Sequence, residues 1–387
     1  MKHIFKHCAL LFTFSALALT GCSVATGSNA VIKNDSTTHL NISQAKLIAN
    51  ATDNMKYINP NLLSKVDDLA NDDRVSILVS MDNNSLADDY FSYSRGYDSI
   101  SDYASSSYGE KQRNRYLENQ NKLIDDLTSR GLIDDVKYNY TTLFNGFSAT
   151  TSYANYKKLK NNGYSVSLGE VYALPQSTET TKYNAVTNDV DVYDTGIFNS
   201  SSVEYDGENT AVAILDSGFD IHHTVFQTMP QHPMISRDHI SKVLNSTKAS
   251  GFTSGLKTED VYVNTKIPYT YDYADKDPDV TPYDSEHGTH VAGIIAGSDN
   301  VITGVAINTQ LVLLKVFADL NSGGKTEDIL AALEDAVVIG VDAINMSLGS
   351  SCGFTKLSDN DYLNSVYDKV RSEERRVGKE CRSRWSP

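Results

Sequence analysis

The sequence predicts two consecutive folding units: an α+β unit over residues 74–175, then an α/β unit with a doubly wound, mostly parallel sheet over residues 210–370. Three observations carry this expectation. The first region alternates strand and helix patterns in the order β-α-β-β-α-β. The second alternates continuous apolar strands with helices, which requires right-handed crossovers and a sheet covered on both faces. Finally, 40% apolar and 21% charged residues in a chain of 387 is globular composition with room for more than one core. A formal net charge of −15 argues against a nucleic-acid backbone as the main partner. No apolar run reaches the ~18–20 residues of a membrane-spanning helix.

At the N-terminus, Lys2, His3, Lys6 and His7 precede an apolar stretch over residues 8–19 that ends in Leu19-Thr20-Gly21-Cys22. This is the pattern of an export signal. Its last four residues resemble the bacterial lipobox, which implies lipidation of Cys22, removal of residues 1–21, and anchoring to the membrane at the bacterial cell surface. More than one acyl chain makes such anchoring stable. Residues 22–73 are then expected to serve as a tether and N-terminal segment.

The first unit opens on the strand pattern Val75-Ser76-Ile77-Leu78-Val79. A helix follows over residues 111–130, with Leu117, Asn121, Ile124 and Leu127 on one side and Gly131 closing it. Residues 135–141 and 146–151 read as strands about a turn, 153–162 as a short helix before Gly163, and 165–174 as the last strand. This order is that of the ferredoxin-like fold, which hosts many functions. Residues 176–209 read as a linker.

In the second unit, Thr210-Ala211-Val212-Ala213-Ile214-Leu215 is a buried-strand pattern that delivers Asp216 to its carboxyl end, where open α/β sheets place their sites. His287 opens a small-residue helix, His287-Gly288-Thr289-His290-Val291-Ala292-Gly293. Residues 311–317 are a second buried strand. Thr326 is expected to cap a helix carrying Ile329, Leu330, Leu333, Ala336 and Val337 inward, stopped by Gly340, and residues 341–346 are the next strand. Residues 231–263 read as a surface insertion that modifies access to the site.

Asp216-Ser217-Gly218, His287-Gly288-Thr289-His290-Val291-Ala292-Gly293 and Ile344-Asn345-Met346-Ser347-Leu348-Gly349, in this order, resemble the subtilisin-like serine proteases. Tyr271-Asp272-Tyr273-Ala274-Asp275-Lys276-Asp277 and Leu314-Lys315-Val316-Phe317 are similar to the cell-envelope proteinase (lactocepin) branch. Asn145-Gly146-Phe147-Ser148-Ala149-Thr150 resembles the propeptide domain that precedes such enzymes. The resemblance implies hydrolysis of polypeptides by an Asp-His-Ser triad, with Asp216 as the carboxylate, His287 as the base, and Ser347, Leu348 and Gly349 as the edge that pairs with substrate backbone. It also implies a propeptide in cis, its C-terminal segment around residues 171–181 lying in the cleft.

The residue types suit that chemistry. A serine hydroxyl needs an imidazole to take its proton, and the imidazole needs a buried carboxylate to fix its tautomer. Neither a Gly-Thr-Ser-Met-Ala phrase nor the later oxyanion-hole Asn follows in these residues, so the chain as written is expected to be inactive, the N-terminal part of a peptidase domain. The competing class is a catalytically dead surface lipoprotein that binds peptides in the same groove; the intact pair Asp216 and His287 argues against it.

Residues 371–387 turn abruptly basic, contain the single Trp of the chain, and break the helical pattern of residues 359–370. They resemble a translated sequencing adapter and are set aside from the fold. Without this tail and the signal only Cys22 and Cys352 remain, too few for a disulfide framework. No cofactor is required. The His287/His290 spacing does not suit a zinc pair, and His290 is expected to be structural. Asp275, Asp277, Asp279 and Glu286 fit four positions of a calcium loop, but Val280 stands where that loop needs Gly, so structural calcium has no further support and a solvated acidic loop is expected.

Overall fold

The structure, a computed structural model, describes residues 69–81, 84–93, 96–174, 206–320, 323–349, 365–366 and 369–370. The export signal, Cys22, most of the tether, the linker over 175–205 and the basic tail lie outside the described residues.

The first unit contains β1 (Arg74–Ser80), the short helices α1 (Leu86–Tyr93) and α2 (Ile100–Ser105), α3 (Ser107–Ser129), β2 (Asp135–Tyr140), β3 (Gly146–Ser152), α4 (Tyr153–Asn161) and β4 (Val166–Leu168). Its four strands form an antiparallel sheet in the order β2-β3-β1-β4. The expected β-α-β-β-α-β order is present, with α1 and α2 as an unforeseen excursion between β1 and α3. Alternation along β1 explains why nearly all of the strand is buried. Val75, Ile77 and Val79 pack with Leu127 and Leu159 of α3 and α4, whereas Leu78 points to the opposite face and joins the core of the second unit. Helix α3 begins four residues earlier than its periodicity suggests because Ser106 caps it, accepting a hydrogen bond from the Gly109 amide.

A two-residue strand, β5 (Val171–Tyr172), leads out of this unit. The second unit is built from β6 (Ala211–Asp216), α5 (Arg237–Val243), α6 (Lys248–Phe252), α7 (Thr258–Val261), β7 (Tyr269–Asp272), α8 (His287–Ala296), β8 (Gln310–Lys315), β9 (Gly324–Lys325), α9 (Thr326–Ile339) and β10 (Ala343–Met346). Its central sheet runs β10-β6-β8-β7, and every pairing is parallel. Alternate residues of the central strands face opposite layers. Ile214, Leu311 and Leu313 pack with Ala292 and Ala296 of α8 on one side, while Ala213, Leu215, Val312 and Leu314 pack toward α9 on the other. The sheet is therefore covered on both faces, as expected of a doubly wound fold.

The structure corrects the reading of residues 231–263 as a surface insertion. Ile240, Val243, Ala249 and Val261, carried by α5, α6 and α7, and the flanking Ile235 and Leu244 are buried in the main core. Thr326 also departs from its expected capping role: Lys325 is the N-cap, and the Thr326 hydroxyl accepts from the Glu170 amide at 2.8 Å. Helix α9 does end at Gly340, whose φ of 85° is the left-handed conformation that glycine adopts at least cost.

The two units meet on α9. Glu334, almost fully buried, accepts from the amides of Thr141, Thr142, Leu143 and Phe144 in the β2–β3 turn, at 2.7–3.1 Å, and pairs with Lys248 at 2.8 Å. Ser101 of α2 donates to the Val338 carbonyl at 2.5 Å, and Tyr140 to that of Glu327 at 2.8 Å. Removing a carboxylate from such a site strands its partners in the interior. Glu334→Ala is expected to lower stability by at least ~3 kcal/mol and to speed hydrogen exchange at Thr141–Phe144 before the central sheet opens, as denaturant melts and exchange mass spectrometry would reveal.

Candidate active site

Two chain segments converge at the carboxyl end of the central sheet. Strand β6 ends on Asp216, fully buried, because its apolar residues are consumed by the two flanking layers and the first carboxylate falls where the strand leaves the sheet. Helix α8 starts at His287 and crosses close to that strand end. A Cβ on Gly288 would lie 2.4 Å from the Gly218 carbonyl, so only glycine allows this approach. Gly218 itself has φ of 139°, and a Cβ there would meet Pro282.

The approach brings His287 Nδ1 to 2.8 Å from Asp216 Oδ1. The same oxygen accepts from the Ser217 amide at 2.7 Å, whereas Oδ2 is buried with no hydrogen-bond partner among the described residues. An imidazole that donates Nδ1–H to a buried carboxylate holds Nε2 as the unprotonated nitrogen, the form needed to accept a proton. The hydrogen bond to Asp216 raises the His287 pKa above its ordinary value, with burial acting in the opposite direction. Ser217 braces the pair: its hydroxyl donates to the Ser285 carbonyl at 3.1 Å and accepts from the Gly288 amide at 3.3 Å, tying the end of β6 to the start of α8. The sequence motif contained Ser217 but gave no sign of this role. His290, one turn along α8, is exposed.

Ser347, Leu348 and Gly349 continue from β10, whose Met346 pairs with Leu215, the residue before Asp216, so this segment leaves the sheet beside the carboxylate. Gly349 exchanges both backbone hydrogen bonds with Ala173, at 2.7 and 3.0 Å. On the other side of the incoming strand, Val171 pairs with Lys325 and Tyr172 with Gly324, antiparallel. Residues 171–173 are thus held between two edges of the second unit. Leu348 packs against the main core and is not aimed at the strand alone. The β9 edge was missed in the sequence; its signal is the Gly323-Gly324 doublet before a helix start, where a Cβ on Gly323 would lie 2.3 Å from the Val171 side chain.

The acidic residues noted between β7 and α8 do not converge. Asp277 and Asp279 turn back on the amides of Asp279 and Thr281, and Glu286 stands before α8. A different trio, Asp272, Asp275 and Asp319, comes together, and the Lys315 ammonium lies among them. Burial pushes Asp272 up to about 7, against the hydrogen bond from Lys315.

The raised His287 pKa has a definite sign. The charged imidazolium paired with Asp216 adds stability in full below the ordinary histidine pKa of about 6.5, and this is lost as pH rises through the raised value. NMR titration is expected to place His287 above the ordinary value and Asp216→Asn to bring it down. Ser217→Ala is expected to broaden the His287 resonances with less effect on the midpoint.

Residues 207–381 match the Subtilase family. The PI-type proteinase of Lactococcus lactis subsp. cremoris is 31% identical over 273 residues, 67% of this chain and 13% of that protein. The C5a peptidase of Streptococcus pyogenes serotype M6 is 33% identical over 177 residues, 43% of this chain and 14% of that protein. Among solved structures, the epidermin leader peptide processing serine protease of Staphylococcus aureus is 14% identical with a TM-score of 0.42, covering 78% of this chain and 58% of that one. The chain spans about an eighth of the length of the curated relatives it matches. A buried strand-end aspartate bonded to a helix-start histidine lies inside the matched region, and the chain there carries a domain of the subtilase family.

Proposed function

We propose that this chain is the precursor form of an exported serine endopeptidase, anchored through lipidated Cys22 and carrying its own inhibitor in residues 74–175. The observation that carries the reading is the 2.8 Å bond between His287 and Asp216 at the carboxyl end of the sheet. In this reading Asp216 orients the imidazole and stabilises its charged form, and His287 takes the proton of a serine supplied by the longer gene product and returns it to the leaving amine. Substrate backbone pairs with Gly349 and with the Gly324 edge as an added strand, the recognition mode that leaves sequence preference to side-chain pockets. Residues 171–173 hold that place in the uncut chain, which supports their role as the end of a propeptide.

Hydrolysis of an unstructured protein by the full-length gene product, with and without a serine-directed phosphonate, tests the reaction class; inhibition by chelator instead would point to a metal enzyme. His287→Ala in the full-length product is expected to lower turnover on the order of 10⁶-fold, and Asp216→Asn on the order of 10⁴-fold, the losses found when these groups are removed from serine-protease triads. Propeptide removal is expected to stop in His287→Ala. Normal self-processing in that variant would overturn the assignment of the base.

A further inference from the structure

The contact between the first unit and α9 contains a hydroxyl with more acceptors than protons. Tyr138 of β2, 1% exposed, lies with its Oη 2.6 Å from the Tyr273 carbonyl and 2.8 Å from Asp328 Oδ1. A phenol carries one proton, and a carbonyl only accepts. An ionised carboxylate also only accepts, so the one phenol proton serves one of these two oxygens, and both contacts are hydrogen bonds only when Asp328 carries a proton and donates it to Tyr138. We propose that Asp328 is held as the neutral acid while the first unit is docked, so that Tyr138 and Asp328 form a proton-dependent latch that loosens as pH rises.

The surroundings favour the neutral form. Asp328 is buried, and no ion pair reaches it among the described residues. Burial, with Glu327 beside it, pushes its carboxyl well above the usual range, while Lys325, the Tyr138 hydroxyl and Lys276 act in the opposite direction. The Lys276 ammonium sits over the rings of Tyr138 and Phe252, at 4.9 and 4.5 Å, and its own pKa is lowered by burial. The other charged or titratable groups around the contact are Tyr140, Asp135 and Lys137 on β2, Glu170 before the arriving strand, and Glu334 and Asp335 on α9; Lys137 pairs with Asp135, Glu334 is satisfied by Lys248 and the turn amides, and Asp335, lifted by burial to about 6, takes its hydrogen bonds from Lys248, Ala249 and Tyr273 of the second unit. When the units part, Asp328 returns to water at the first turn of α9, where the helix N-terminus favours its charged form. Parting then releases one proton. By linkage the docked state weakens about tenfold per pH unit from the ordinary carboxylate pKa up to the raised docked value. This regulation rests on the proposed role of residues 74–175 as a propeptide.

The test is hydrogen exchange on the intact chain at the Thr141–Phe144 amides, corrected for intrinsic rates, between about pH 5 and about pH 8. The wild type is expected to show an opening equilibrium that grows with pH, by up to about tenfold per pH unit while docked Asp328 keeps its proton. Asp328→Asn, which keeps a donor and cannot ionise, is expected to be flat and as protected as the wild type at the acid end. A protonated-carboxyl infrared band at neutral pH, absent from Asp328→Asn, is the companion readout. A wild-type opening equilibrium independent of pH overturns the latch even if the variant does not fold, as does a slope that persists in Asp328→Asn. Hydrolysis plays no part in these readouts, so failure of the latch leaves the protease reading standing, and that reading fails separately if His287→Ala self-processes.

Discussion

The constraint on which the rest of the structure depends is the burial of α9 with its acids still on it. Glu327, Asp328, Glu334 and Asp335 are all buried in one helix of 14 residues. Buried carboxyl groups are tolerated only with partners, and here most partners come from elsewhere in the chain. Glu334 is served by the β2–β3 turn and Lys248. Asp335 takes the amides of Lys248 and Ala249 and the Tyr273 hydroxyl, and burial still lifts it to about 6. The main core accordingly runs without a break from Leu78 and Tyr138 of the first unit to Val312 and Leu314 of the second. The first unit is part of the packing of the second, not an appendage to it.

The same economy of contacts positions the site. Asp216 and His287 stand 71 positions apart and meet because Gly288 lets α8 touch the end of β6 and Ser217 bridges the two. The pair is thus held by the end of a strand and the start of a helix, not by a loop.

Much of this was legible in the sequence, and the reasons differ by element. Strands such as Ala211–Asp216 and Gln310–Lys315 were readable because parallel strands covered on both faces become continuous apolar runs. The α9 helix showed its period and its glycine stop. Helices α1 and α2 were not readable: they have eight and six residues, too short for a period to stand out, and they fold by packing on other helices, α2 on α9 and α1 on α2 and α3. Residues 231–263 misled because their polar spacing hides single apolar anchors such as Ile240 and Val261, whose burial is decided by distant partners. Of the site, Asp216 and His287 were marked by position and type. The Gly324 edge was not, since pairing with a two-residue strand leaves almost no imprint on composition. The burial of the α9 acids was not legible either, because the groups that satisfy them lie far away in the chain.

The strand over residues 171–173 is joined to β4 by only two residues, Gly169 and Glu170, and Glu170 is itself pinned by Thr326. Its pairing with Gly349 and Gly324 is therefore an intramolecular event, with an effective concentration on the order of millimolar or above for so short a connection. A free peptide offering the same backbone hydrogen bonds must exceed that concentration to enter. Cutting the chain on the far side of Ala173 would not change this arithmetic, because the tether lies on the near side. Vacating the groove requires the whole first unit to leave α9.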